Sequence, residues 1–562
     1  MNIKKQKITA VVLIAAMMIA AIPILIPTSK ADVNSDWTLV TNGRALKAYP
    51  TLQEFIWQKN ANMAPHGLYD KIGLHRLVKA GITPKGVIVM MPGTYGSGEM
   101  LTSNPTTDNW TLTENESQAI YWANRNYDVY AMDYRTHFVP DNLNPLPPAS
   151  INSSQLSFMA NWGWDQWMSD INEVVNKAKV TSGVPVVFMA GMSFGGLATM
   201  NYATIYPQNL RGIILLDGGN ASANTAPTNQ YNLTAALLQD NASKTWYSTN
   251  PNLYGDTPLS PSFKYVAQYA TENPGAPPIN PFTNTTFGFP VNPITGNAFA
   301  NISDSFAFMM QSFGMTNVTG GKMNTTTLTH VFGSMDMFWP NRLSLEYNAY
   351  MGWINCPYVT KDFDDNYKNV NLPLIGFVSQ DDGLPRDGLI GNISTTDVTR
   401  NLLLGYGHID VYEGIYSAID VSEPTYQWLL NHTLSASIIQ GTAATIDTRS
   451  SITLIANASG GPVPYTYQWF QDGSAIAGQI LPQINVRWPF AGTHTLYCIV
   501  NDSMQTTSTT APLTLTVVPT ASTPTPLPTQ TPTTILYIII AILVIAAISF
   551  AAFAMKKKNP KR

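Results

Sequence analysis

The residues of this 562-residue chain best suited to chemistry lie in the run VVFMAGMSFGGLATMNYA, residues 186–203. It contains Gly191-Met192-Ser193-Phe194-Gly195, a G-x-S-x-G pattern between an apolar β-branched stretch and an Ala/Leu/Met-rich stretch. A tight strand-to-helix turn at this point strains the serine backbone and lifts its Oγ above a sheet. Gly191 and Gly195 fit that turn because a Cβ at either place would collide across it. The N–H of Phe194, at the start of the following helix, would face the place where negative charge develops on a carbonyl under attack. A serine hydroxyl at neutral pH also needs a base within hydrogen-bond reach, and the base needs an orienting carboxylate. The search for the base is short, since the chain has 7 histidines: His66, His75, His137, His330, His408, His432 and His494.

The elements that must position these groups alternate in type. GVIVMMPG (86–93), YDVYAMDYR (127–135), PVVFMAG (185–191), GIILLDGG (212–219) and LPLIGFVS (372–379) are short apolar runs of the kind buried on both faces of a sheet. Between them, Trp164, Trp167, Ile171, Val174 and Ala178 recur at helical spacing and form one apolar stripe. Alternation of strand and helix predicts an α/β fold, a doubly wound and mostly parallel sheet covered on both faces, over residues 32–436. Residues 220–360 break the rhythm. They are rich in Asn, Thr, Pro, Met and aromatics, and so long a connection is expected to be an inserted cap. As a cap covering Ser193, its deletion is expected to change acyl-chain preference more than stability.

With these residues in place, residues 70–430 resemble the α/β-hydrolase superfamily. PKGVIVMMPGTYG is similar to the family's third strand and oxyanion loop, with Pro92-Gly93 where His-Gly is commoner; by position, the resemblance makes Thr94 N–H the second oxyanion donor beside Phe194. YDVYAMDYRTH is similar to the fourth strand and a D-x-R-x-H turn, whose Asp133, Arg135 and His137 are expected to be structural. The family's chain order, Ser then acid then His, points to His408 in LLLGYGHIDVYEG and sets aside His66 and His75, which precede Ser193. It places the acid after LPLIGFVS, where counting from Pro373 gives Asp382; Asp381 and, after the preceding strand, Asp217 stay open as alternatives. The resemblance thus implies a Ser193–Asp382–His408 triad.

The ends of the chain speak of export. MNIKKQK, an apolar run to Ile26 and PTSKAD compose a signal peptide over 1–31, with an uncleaved anchor as the competing reading. Residues 535–555 are apolar throughout and long enough to span a bilayer, and the tail KKKNPKR (556–562) marks a cytoplasmic side. The expected location is the cell membrane, single-pass, with everything before residue 535 outside. Residues 437–517 show period-two alternation with frequent turns and are expected to form an immunoglobulin-like β-sandwich. Trp469 and Cys498 sit like such a domain's core Trp and second Cys, with an aliphatic residue near Leu454 in place of the first. Residues 518–534 form a Pro/Thr linker about 50 Å long when extended. Sequons at Asn109, Asn232, Asn317 and Asn457 agree with export.

Other chemistries find little support. Charged residues make up 12% of the chain and the net charge is −4, which leaves no footprint for nucleic acid. Cys356 and Cys498 are the only cysteines, too few for a disulfide framework or a cysteine zinc site. KDFDDNYKN (361–369) lacks the Gly and terminal Glu of a calcium loop. No H-E-x-x-H, P-loop or dinucleotide motif occurs, so neither metal nor cofactor is expected. The expected reaction is acyl transfer to water on a small-molecule ester. The alternatives are a serine peptidase or amidase of the same fold, and a non-catalytic surface adhesin on this scaffold. Nothing in the sequence fixes an oligomeric state.

Overall fold

The structure is a computed structural model, and it describes residues 36–60, 70–93, 96–101, 112–138, 164–218, 260–280, 285–286, 291–292, 295–312, 314–334, 367–380, 393–520 and 532–556. The chain divides into two compact units, one comprising 1–437 with 457–468 and 498–510, the other comprising the remaining residues. Each is described by itself.

The larger unit is built on a nine-stranded mixed sheet of order β1-β2-β3-β5-β4-β6-β7-β10-β11. Its strands are β1 (Trp37–Ala45), β2 (Leu52–Asn60), β3 (Lys71–Lys79), β4 (Val87–Met91), β5 (Asp128–Asp133), β6 (Val187–Met192), β7 (Leu210–Leu216), β10 (Leu374–Ser379) and β11 (Val398–Leu403). A separate short pair comprises β8 (Ile279–Asn280) and β9 (Thr285–Thr286). From β5 to β11 neighbouring strands run parallel. From β1 to β5 they run antiparallel. The five strands expected from the sequence are β4, β5, β6, β7 and β10. The antiparallel extension β1–β3 was not foreseen.

Alternation along the central strands divides their side chains between two apolar cores. Val87, Val89 and Met91 of β4 face one core, together with Val187 and Met189 of β6. Ile88, Met90, Phe188, Ala190 and Met192 face the other. The first core is closed by α2 (Trp164–Ser182), through Trp167, Ile171, Val174 and Ala178, and by α3 (Phe194–Ile205). The second is closed by α1 (Gln118–Asn124) and α8 (Glu423–His432). Three helices from the long insertion join that second core: α4 (Ser260–Glu272), α5 (Ile302–Ser312) and α6 (Thr325–Ser334). Val266, Ala270, Phe306, Met310, Leu328 and Val331 are all buried there. At roughly 1.5–3 kcal/mol for each large buried side chain, these residues also contribute to the stability of the unit. The sheet carries an inserted helical cap, as expected. The inserted helices are part of the core.

The order β5-β4-β6 is what positions the site. The chain passes from β4 to β5 on one side and then crosses to β6 on the other. In an open parallel sheet the crevice at such a reversal, outside the carboxyl ends of the strands, is where ligands bind. The carboxyl ends of β4 and β6 carry Pro92-Gly93 and Ser193.

The second set of strands forms two sheets. One comprises β12 (Ser435–Ile438), β14 (Ile452–Ser459) and β17 (Gln483–Val486). The other comprises β13 (Ala443–Asp447), β20 (Leu513–Val518), β18 (Gly492–Asn501), β15 (Thr466–Gln471) and β16 (Ser474–Ala475), with β19 (Thr507–Thr509) on β18. Leu454, Trp469 and Cys498 are fully buried. Helix α9 (Pro532–Lys556) contains an exposed apolar stretch, Leu536–Phe553, long enough to cross a membrane. Residues 1–31 and most of the 518–534 linker lie outside the described residues.

Candidate active site

The strand β6 ends at Met192 and α3 begins at Phe194, so Ser193 alone makes the turn. Its backbone has φ 53° and ψ −122°, a conformation side chains other than glycine rarely adopt. Such strain survives where the surroundings over-determine it. Here they do. A Cβ at Gly191 would lie 2.2 Å from the Gly195 carbonyl oxygen, and one at Gly195 would lie 2.0 Å from that of Met91. The Ser193 N–H donates to Leu216 O (3.2 Å) and Gly196 N–H donates to Ser193 O (2.9 Å). Between Val186 and Ala203 every residue is buried except Ser193. Phe194 is fixed beneath it by stacking on Trp167, with ring centroids 4.7 Å apart.

The loop after β4 comes up against this serine. A Cβ at Gly93 would sit 3.1 Å from Ser193 Cβ, so only a bare backbone approaches this serine. Tyr134 OH donates to Pro92 O (2.9 Å), Gly96 N–H to Gly93 O (2.9 Å) and Gly98 N–H to Asp133 Oδ1 (2.7 Å). Thr94, the second oxyanion donor expected from the sequence, lies outside the described residues.

His408 is buried in the turn before α7 (Asp410–Glu413). Its Nδ1 is 2.6 Å from Asp217 Oδ2. Asp217 follows β7 directly and has φ 45°. Its own N–H donates to Phe377 O (2.9 Å), and its carboxylate accepts from Ser379 N–H and Ser379 Oγ, each at 2.8 Å. Fully buried, it is satisfied by hydrogen bonds from the end of the neighbouring strand. Leu216 accepts from Ser193 N–H, so the nucleophile and this carboxylate stand on adjacent strand ends. The structure thus brings Ser193, Asp217 and His408 to one edge of the sheet.

That differs from the first expectation. The carboxylate on His408 is Asp217, the third of the three aspartates the sequence allowed, whereas Asp381 and Asp382 lie outside the described residues. The sequence signal was present in GIILLDGG, an aspartate at the end of a fully apolar strand followed by two glycines. It was outweighed by spacing from Pro373. The D-x-R-x-H residues take structural contacts. Asp133 binds His75 and Gly98, while buried Arg135 forms ion pairs with Asp170 and Asp70. Among the described residues no group of three metal-ligating side chains occurs.

Comparison with known proteins bears on the fold and the enzyme class. The family described as serine aminopeptidase, S33, matches residues 114–272, a span that includes Ser193 and Asp217. A solved chain from Sulfolobus solfataricus, presented as a candidate lipase, is 28% identical, with a TM-score of 0.51 over 70% of this chain and 99% of that one. A thermophilic esterase from Thermogutta terrifontis is 12% identical, with a TM-score of 0.33 over 66% of this chain and 97% of that one. No curated protein matches. The chain has the α/β-hydrolase fold and is an enzyme of the serine-hydrolase type.

Proposed function

We propose that this protein is a membrane-tethered carboxylic ester hydrolase whose catalytic groups are Ser193, His408 and Asp217. The observation that carries the reading is the 2.6 Å contact of His408 Nδ1 with Asp217, beside a serine held at φ 53°. Asp217 accepts the Nδ1–H hydrogen bond, which fixes the tautomer and leaves Nε2 as the base. Ser193 Oγ attacks the acyl carbon as its proton passes to Nε2. The oxyanion is met by the Phe194 N–H, with Thr94 N–H proposed as the second donor. Collapse expels the alcohol, which takes the proton from His408. Water, deprotonated by the same nitrogen, then releases the acid and restores the serine. Asp217 takes the role first given to Asp382.

An ester is favoured as substrate by the candidate lipase from Sulfolobus solfataricus. The family description, an aminopeptidase, favours an amide as the second reading. One triad serves both bonds, and a parallel series of nitrophenyl esters and aminoacyl nitroanilides separates them. Export, the membrane anchor at α9 and an extracellular catalytic unit are part of the proposal. They are supported by the apolar Leu536–Phe553 stretch and the basic tail after it. The direct test of the nucleophile is labelling of the full chain in detergent with a fluorophosphonate. The label should map to Ser193 and vanish in Ser193→Ala, which should also lose hydrolysis. Hydrolysis within tenfold of wild type in that variant would reject the proposal.

A further inference from the structure

A general base must be held to within about half an ångström of its working position. Asp217 fixes one nitrogen of the His408 ring but not the backbone that carries it. That backbone belongs to a turn between β11 and α7, and such segments are the most mobile parts of a fold. The turn is fastened to the inserted segment 314–317. His408 N–H donates to Gly314 O (3.0 Å) and Ile409 N–H to Met315 O (2.7 Å). The Asn317 side-chain amide donates to Gly405 O (2.9 Å). A Cβ on Gly407 would lie 2.5 Å from Thr316 Cα, so the two backbones are in close contact.

One side chain ties both strands of this junction together. Asp410 is fully buried, and its carboxylate accepts from Thr316 Oγ1 (2.5 Å), Asn317 N–H (2.7 Å) and Gly407 N–H (2.8 Å). Two of these donors lie on the insertion and the third lies one residue before His408. Hydrogen bonds to a charged acceptor are about twice as strong as neutral ones and more demanding of geometry. We propose that Asp410 is a positioning residue for His408, using Thr316 and Asn317 of the insertion as the fixed side of the clamp. The inference rests on His408 being the base. It gives the insertion a part in catalysis independent of any contact with substrate.

The test is steady-state hydrolysis of a short-chain nitrophenyl ester by the full-length protein. Asp410→Leu removes the acceptor of all three hydrogen bonds at similar volume and should lower kcat by about 10- to 100-fold with KM within about threefold of wild type. Thr316→Val, which removes one bond without touching the turn itself, should lower kcat by about tenfold, and Thr316→Ser, which keeps the hydroxyl, should restore it. This second pair decides the matter if Asp410→Leu does not fold. Wild-type kcat in Thr316→Val, or equal losses in the Val and Ser variants, would overturn the proposal. His408→Ala serves as the control. If it retains activity, the assignment of the base has failed, and that outcome is distinct from failure of the clamp.

Discussion

Two histidines in this enzyme are buried to the same degree, each 4% exposed, and each is bonded to carboxylate, yet they are built for opposite ends. His75 lies in the middle of β3, with Nδ1 3.2 Å from Glu54 Oε1 on β2 and Nε2 3.2 Å from Asp133 Oδ2 on β5. Both ring nitrogens are committed as donors. Burial pulls its pKa down, but the charges and hydrogen bonds of Asp133 and Glu54 outweigh this and hold it well above 6.5. Burial likewise raises both carboxyls, and His75, joined by Arg44 at Glu54 and by His137 and the Gly98 N–H at Asp133, more than offsets it, leaving Glu54 and Asp133 below their ordinary values. His75 is a fixed cation in a sheet. His408 stands instead in a turn at the carboxyl edge, its Nδ1 on Asp217, beside the strained serine. Neither burial nor a carboxylate neighbour tells the two apart; their places in the fold do.

Exchanging each histidine for alanine should break this comparison most visibly. His408→Ala should cost about 10⁴-fold or more in kcat/KM with little change in melting temperature. His75→Ala leaves Glu54 and Asp133 without the cation between them, and removing one partner of a buried ion pair costs about 3–5 kcal/mol. The fraction that folds should still turn over substrate. A His75 variant with wild-type stability and no activity would reverse the roles assigned here.

The pH dependence of stability sharpens the same contrast with a smaller effect. The raised His75 pKa supplies stability that is complete below the ordinary histidine value of 6.5 and is lost as pH rises through its folded value. The lowered pKa values of Glu54 and Asp133 supply stability present above their ordinary values of 4.5 and 3.8, lost as pH falls through the folded ones. Thermal melts should therefore be highest between about pH 4.5 and 6.5, with the alkaline decline flattened in His75→Gln. An unchanged alkaline limb in that variant would remove His75 as its source.

The parts legible in the sequence were those where local pattern and tertiary role agree. Strands β4 to β7 are continuous apolar runs because both faces are covered, and the turn at Ser193 carries its glycines within three residues. Strands β2 and β3 escaped notice because LQEFIWQKN and KIGLHRLVK are interrupted by charge. The buried ones among them are paired, Glu54 with Arg44 and His75, and Lys59 with Glu173. A pattern of apolar residues cannot report a core that is partly ionic. The insertion was legible as a cap from its break in rhythm, but composition does not say where its helices pack, and Phe306 and Leu328 join the main core. Asp217 lost to Asp382 on spacing, since the deciding contact is with His408, 191 residues further along the chain.

That contact is the central claim, and one pair of variants tests it most directly. Asp217→Asn should preserve the fold and lower kcat by about 10⁴-fold, as expected when the carboxylate that sets the histidine tautomer becomes an amide, while Asp382→Asn should stay within about tenfold of wild type. A large loss in Asp382→Asn with near-normal turnover in Asp217→Asn would contradict the account.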